Sequence, residues 1–291
     1  MTIAHDFVNQ ITARNTLPGI YHRIRALIAA PDTTMSDYVV AINSDPALAA
    51  RVMDMANSSF FNPSRNINTI EQAIGHLGVM QLKDILLCNL TIRAFAAIPD
   101  SIINLSEFWK SSILCGIIAR ILARKCAVPT SDQLFTLGLL HDIGHLVMYS
   151  TIPEQTLDIF AESNQKNKPV AIIEQEKLGV NYAQVGSELM HHWSFPESYQ
   201  EVTAHQPEPK NASQYYFETA IVHIARSIAF RNDDPKSSKQ FQIKPIAWSI
   251  TNLSEEKIAD VRQQAQQYIA EIANCLQIQS HNNSVNVSQI K

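Results

Sequence analysis

Three features of the 291-residue sequence predict an all-helical fold. Glycine is scarce, at 8 residues. Alternating runs of Val, Ile and Thr, the mark of half-buried strands, are few. Apolar side chains recur three and four positions apart in one segment after another, the spacing that lays a stripe along a helix. A hydrophobic content of 46% against 17% charged residues supplies enough apolar surface for a sizeable core. By pattern the chain divides into an N-terminal helical lobe over 1–99 and a second lobe over 100–232. A loop and helix over 233–279 pack on the second lobe, and a polar, aperiodic tail over 280–291 is expected to be disordered.

In the first lobe a short leading helix precedes Leu17-Pro18, which open a helix through Ile28 that Pro31-Asp32 end, because proline cannot continue the hydrogen-bond ladder. Ser36 is the expected cap of a short helix containing Tyr38 and Ile42. Asp45 caps the next, with Pro46 in its first turn and Leu48, Val52 and Met55 as its apolar stripe. Its end runs into Asn57-Ser58-Ser59-Phe60-Phe61-Asn62-Pro63, whose short polar side chains bond backbone groups and stop helices. Spacing alone favours a cap followed by two core aromatics. A recognition surface is the other reading, and it makes Asn57, Ser58, Phe60 and Phe61 candidates for a partner-binding edge. A helix over 70–77, a break at Gly78 and an apolar helix over 81–95 complete the lobe.

The second lobe begins with a helix over 107–125 whose stripe reads Phe108, Ser111, Cys115, Ile118 and Leu122. The next helix, with Thr130 or Ser131 available as cap, carries Leu134, Gly138, His141 and His145 on one face, with Asp142 beside His141. An ionisable pair at a buried position needs either a metal or a hydrogen-bond network. A bare His-Asp pair favours the network, in which the carboxylate orients the imidazole or bonds nearby backbone groups. Helices follow over 153–163 and 170–178, the latter stopped by Gly179. One leads to His191-His192-Trp193, one opens at Pro196 and reaches His205-Gln206-Pro207, and one over 215–230 carries His223 and Arg226. After a loop over 231–239, Ser254 caps a final helix with Ile258, Val261, Ala265, Tyr268, Ile272 and Leu276 on one stripe. That stripe suits packing on the chain's own core, and dimerisation through it is a weaker alternative.

The net charge of −4 and the absence of a basic face argue against nucleic acid as a partner. No apolar run is long enough to cross a membrane, and the N-terminus lacks a basic region followed by an apolar one. Cys88, Cys115, Cys126 and Cys275 form no Cys-x-x-Cys pair and fit a reducing, cytoplasmic compartment.

The order of Leu17-Pro18, Asp45-Pro46-Ala47-Leu48, Asn57-Ser58, Ala73-Ile74 and Leu77-Gly78, followed by Phe108-Trp109, Leu140-His141-Asp142-Ile143-Gly144, Glu174, Val185-Gly186, Trp193, Pro196 and His205, resembles the HDOD (HD-related output domain) family of bacterial signalling proteins. That family is a branch of the HD superfamily of metal-dependent phosphohydrolases. The resemblance covers roughly 17–230 and implies a two-lobed helical fold. In catalytic superfamily members histidines, the His-Asp pair and a distal aspartate hold divalent metals that activate water against a phosphate ester. Carried over by position, this site is damaged. His141, Asp142 and His205 remain, but Ser111, Tyr182 and Gln206 stand where histidines are usual and Arg226 where the distal aspartate is. His145 takes a position where related sequences often carry lysine. Hydroxyls are weak ligands, and a cationic arginine repels a divalent ion.

The expectation is therefore a non-catalytic regulatory module with no cofactor, whose inter-lobe groove binds a partner protein or a small signal. The alternative is a phosphohydrolase acting on a nucleotide or cyclic-dinucleotide phosphate ester through His141, Asp142 and His205, with His145 as a further candidate and Fe, Mn, Zn or Mg as the metal. The oligomeric state stays open.

Overall fold

The computed structural model describes residues 2–12, 19–30, 32–127, 132–231 and 240–278. Among them every regular element is a helix and there is no strand. In the first lobe α2 (Gly19–Ala29), α3 (Met35–Asn43), α4 (Pro46–Asn57) and α5 (Ile70–Ala94) pack on one another. The cap of α3 is Thr34 and not Ser36: its hydroxyl accepts from Asp37 N while the Asp37 carboxylate accepts from Thr34 N, a reciprocal pair that Ser36, inside the first turn, cannot form. Asp45 caps α4 as expected, accepting from Leu48 N at 3.1 Å. The expected break inside α5 falls at Gly78, whose φ of 79° no side-chain-bearing residue adopts easily.

The second lobe comprises α6 (Leu105–Lys125), α7 (Gln133–Leu140), α8 (Ile143–Thr151), α9 (Pro153–Lys166), α10 (Val170–Leu178), α11 (Tyr182–His192), α12 (Glu197–His205) and α13 (Tyr216–Phe230). The helix expected to carry both His141 and His145 is in fact two, because the chain turns at His141-Asp142. Two close crossings hold this lobe. Gly116 of α6 meets Gly138 of α7 so closely that a methyl on Gly138 would lie 2.7 Å from the Gly116 Cα. Gly144 of α8 meets Gly186 of α11, where a methyl on Gly144 would lie 1.8 Å from the Tyr182 carbonyl oxygen.

Two C-terminal helices, α14 (Pro245–Thr251) and α15 (Glu255–Ile258), lead to α16 (Val261–Cys275). The long final helix expected from Ser254 is thus divided by a turn. Its stripe is spent on the chain's own core, with Ile258, Val261, Ala265, Ile272 and Leu276 all buried. Helix α16 lies on α6 and also reaches α4, and the Glu271 carboxylate accepts from Ser59 N at 2.7 Å, so it ties the lobes together instead of covering one. The leading helix, α1 (Ile3–Thr12), packs on α8 and α11 of the second lobe, where His5 Nδ1 pairs with Glu188 at 2.9 Å. The readings placed on Leu17, Pro18, Pro31, Thr130, Ser131, 232–239 and 280–291 lie outside the described residues.

Candidate functional site

The turn between α7 and α8 delivers three ionisable side chains into the second lobe's interior. His141 is fully buried; its Nδ1 lies 2.6 Å from the Gly138 carbonyl, so that nitrogen carries the proton and donates. The other nitrogen, Nε2, is then an acceptor, and it is buried with no partner among the described residues. Burial pushes the His141 imidazole down to about 4, and nearby Arg226 works in the same direction.

Asp142 does not orient His141, as the adjacent pair suggested. Its Oδ1 lies 2.9 Å from Nδ1 of His145, one turn on, and Nε2 of His145 lies 2.9 Å from Oε1 of Glu174 on α10. A carboxylate only accepts, so both ring nitrogens must donate, and His145 is an imidazolium. Burial alone would discharge it, but Asp142 and Glu174 outweigh burial and push it up to about 9. Likewise burial alone would raise the Asp142 carboxyl, yet His145 carries it well below the usual carboxylate range. The second oxygen of Glu174, itself fully buried, accepts from Tyr182 N at 2.8 Å. The Tyr182 ring stacks on His145, with centroids 4.1 Å apart and planes 18° apart.

Beyond Tyr182 the set continues through Gln206, whose Nε2 donates to the Tyr182 hydroxyl at 2.5 Å, and Arg226, whose guanidinium lies 5.6 Å from the Tyr182 ring centre and 5.2 Å from that of Phe241. Gln206 Oε1 and Arg226 Nε are buried without partners among the described residues. Arg226 interacts electrostatically with Asp142 and Glu174. Two carboxylates are thus balanced by two organic cations.

Eight sequence-derived candidates fall in or against this arrangement in different ways. His141, Asp142, His145, Tyr182, Gln206 and Arg226 are brought together. Ser111 is half-buried on α6 and His205 half-buried at the end of α12, and neither side chain hydrogen-bonds to the others. Two participants were given no role from sequence: Glu174 is named only among the carriers of the family resemblance, and His223 reads as one more core position. His223 Nδ1 donates to the Gln206 carbonyl at 2.8 Å while Nε2 accepts from Lys244 N, and burial pushes the ring down to about 4.

The donors do not fit a divalent metal. Among the described residues no three His, Cys, Asp or Glu side chains are grouped to hold one. His141 offers a single open nitrogen, both nitrogens of His145 are taken, and Arg226 places a positive charge where a ligand would have to stand.

The segment expected to form a partner-binding edge is instead the joint between the lobes. Asn57 is exposed, but its amide is used to pin the following loop, donating to the Ile67 carbonyl at 2.8 Å and accepting from Ile67 N at 2.9 Å. Ser58 and Phe60 are buried. Phe60 packs on Phe61, Phe135 and Tyr268, and the buried Arg120 guanidinium sits 4.0 Å from its ring centre while donating to the Phe60 carbonyl at 2.6 Å. Phe61 is half-buried beneath the same guanidinium, at 4.6 Å. A surface role requires exposure, which Ser58 and Phe60 lack.

The HDOD domain family model matches residues 15–209. A curated protein of Treponema pallidum (strain Nichols), described as uncharacterized, is 26% identical over 200 residues; the match takes in 67% of this chain, which spans only 38% of that protein's length. An HDOD domain protein of unknown function from Geobacter sulfurreducens superposes with a TM-score of 0.73 at 20% identity, covering 94% of this chain and 96% of that one. A Shewanella amazonensis SB2B protein provisionally named a phosphohydrolase gives 0.72 at 22% identity, over 94% and 98%. One from Marinobacter aquaeolei VT8, provisionally named a signal transduction protein, gives 0.70 at 20%, over 94% and 65%. At these identities the solved structures establish the shared fold, and with the family match over two thirds of its length the chain belongs to the HDOD domain family.

Proposed function

We propose that this chain is a regulatory module of signal transduction that does not hydrolyse phosphate esters, and that it acts by binding a partner protein or a small signal between its lobes. The observation that carries this reading is His145, held as a cation between Asp142 and Glu174. The charge that a divalent ion would bring to the site is already supplied by a proton, and Arg226 supplies another. Such a set stabilises the second lobe and leaves no ligand group to activate water. The unpaired cysteines and the lack of any helix long and apolar enough to cross a membrane among the described residues accord with action in the cytoplasm.

The test is metal content after purification without added metal, followed by assay on nucleotides, cyclic dinucleotides and a generic phosphate ester. Sub-stoichiometric metal and no turnover above background are expected. Near-stoichiometric iron, manganese or zinc, lost together with phosphodiesterase turnover in His141→Ala, would establish the phosphohydrolase alternative instead.

A further inference from the structure

Between the lobes, away from the His145 site, lies a groove of about 850 Å³. Its walls come from α4, the end of α5 and the residues after it, the start of α6, and the end of α16 with the residues just beyond. That volume lies in the range of small-molecule sites, which pair an apolar lining with a few placed polar groups. Ile98 and Leu105 form part of the apolar lining.

The polar lining includes donor atoms that lack acceptors among the described residues, beside the exposed Asp100 carboxylate and the Asn274 and Gln277 amides. Arg51 contributes a guanidinium whose Nη2 donates to Gln277 Oε1 at 2.7 Å, while its Nε is buried with no partner among the described residues. It has no carboxylate partner among them either, because nearby Asp45 is taken by Arg93 at 3.1 Å. Ser106 Oγ is likewise buried and unpartnered. Trp109, only 3% exposed, also lines the groove, and its indole N–H can only donate. Leu105 and Ser106 open α6, a 21-residue helix, so the positive end of its dipole and first-turn amides adjoin the same groove. Desolvated donors without acceptors cost stability unless a ligand supplies the acceptor.

We infer that this groove binds a small amphiphilic anion, its carboxylate or phosphate held by Arg51, Ser106 and Trp109 and its apolar body laid against Ile98 and Leu105. The inference rests on the reading that the inter-lobe groove receives a signal, and it specifies that signal's chemistry. Arg51 and the α6 terminus both favour negative charge, and a planar guanidinium suits an oxyanion.

The probes are 1-naphthoate, 1-naphthyl phosphate and neutral 1-naphthol, titrated against the full chain by fluorescence. One or both anions should bind at least about tenfold more tightly than naphthol, as a charge-assisted hydrogen bond predicts. Which anion binds tighter identifies the headgroup. Arg51→Gln should weaken the anions by about tenfold or more and leave naphthol unchanged, with Arg51→Lys intermediate. Ser106→Ala should weaken them less, and circular dichroism checks that each variant is folded. Equal binding of naphthol and the anions, absence of anion binding, or anion binding indifferent to both Arg51 substitutions would overturn the inference. Since none of these readouts involves hydrolysis, such a failure would leave the non-catalytic reading standing, whereas phosphatase turnover of naphthyl phosphate would remove that reading alone.

Discussion

His145 carries the most consequence of any residue, because removing it leaves two buried carboxylates facing one another. His145→Gln can donate to only one of them, and breaking a buried ion pair in this way should cost about 3–5 kcal/mol, read by chemical denaturation at neutral pH. The pH dependence follows from which state binds the proton more tightly. His145, raised to about 9, contributes stability that is fully present below about 6.5 and is lost as pH climbs toward 9. His141 and His223, pushed down to about 4, protonate first in the unfolded chain, so stability falls as pH drops from about 6.5 toward 4. Asp84, which accepts from Tyr199 and is raised by burial to about 7, opposes that acid limb, one group against two. The melting temperature should therefore peak near about pH 6–7, and His145→Gln should flatten the alkaline limb while keeping the acid one. An alkaline limb unchanged in that variant would mean that His145 is not the group titrating. At the inter-lobe joint, Phe60→Ala should cost about 3–5 kcal/mol and lower the melting temperature visibly. Loss of binding without loss of stability would restore the recognition role for that segment.

At the scale of elements, the two glycine crossings decide where the site residues stand. Gly144→Ala places a methyl against the Tyr182 carbonyl, on backbone that cannot swing aside, so α8 and α11 must separate and the His145–Tyr182 stack with them. The expected result is a loss of at least about 1–3 kcal/mol, with a changed tyrosine near-UV signal. A fully stable variant with an unaltered near-UV spectrum would show that the crossing is looser than described. The helices themselves were legible from sequence, because apolar stripes, Asp45 with Pro46, and the glycines at 78 and 179 are local signals. The break at His141-Asp142 was not, since Leu134, Gly138, His141 and His145 keep helical spacing straight across it. Nor was Asp142's choice of partner. Adjacency in sequence suggested His141, but neighbouring side chains on a helix point apart, whereas positions three apart share a face. Glu174 was named for the family resemblance alone, because its role arises only once α10 is packed on α11. Phe60 was ambiguous for the same reason: an aromatic after a helix cap reads alike in a core or on a surface until Arg120, Phe135 and Tyr268 close around it.

Across the whole molecule, one hydrophobic core runs through both lobes, and α16 straps across them, which makes independent motion of the lobes costly. Glu271→Ala, by removing the acceptor for Ser59, should loosen the strap at its first-lobe end. Faster amide exchange in α16 and the 58–62 turn would be its signature, and unchanged exchange there would place the strap's strength in its apolar face alone. The central claim is that a proton on His145 supplies the charge that a divalent ion would bring to this site. Side-chain ¹⁵N NMR of the histidines across pH tests it most directly. His145 should be protonated on both nitrogens at pH 7.5 and titrate at about 9, and His141 should be neutral with its proton on Nδ1, all unchanged by millimolar Mg²⁺ or Mn²⁺ at levels short of paramagnetic broadening. A His145 that is neutral at pH 7.5, or that loses a proton as metal is added, would contradict it.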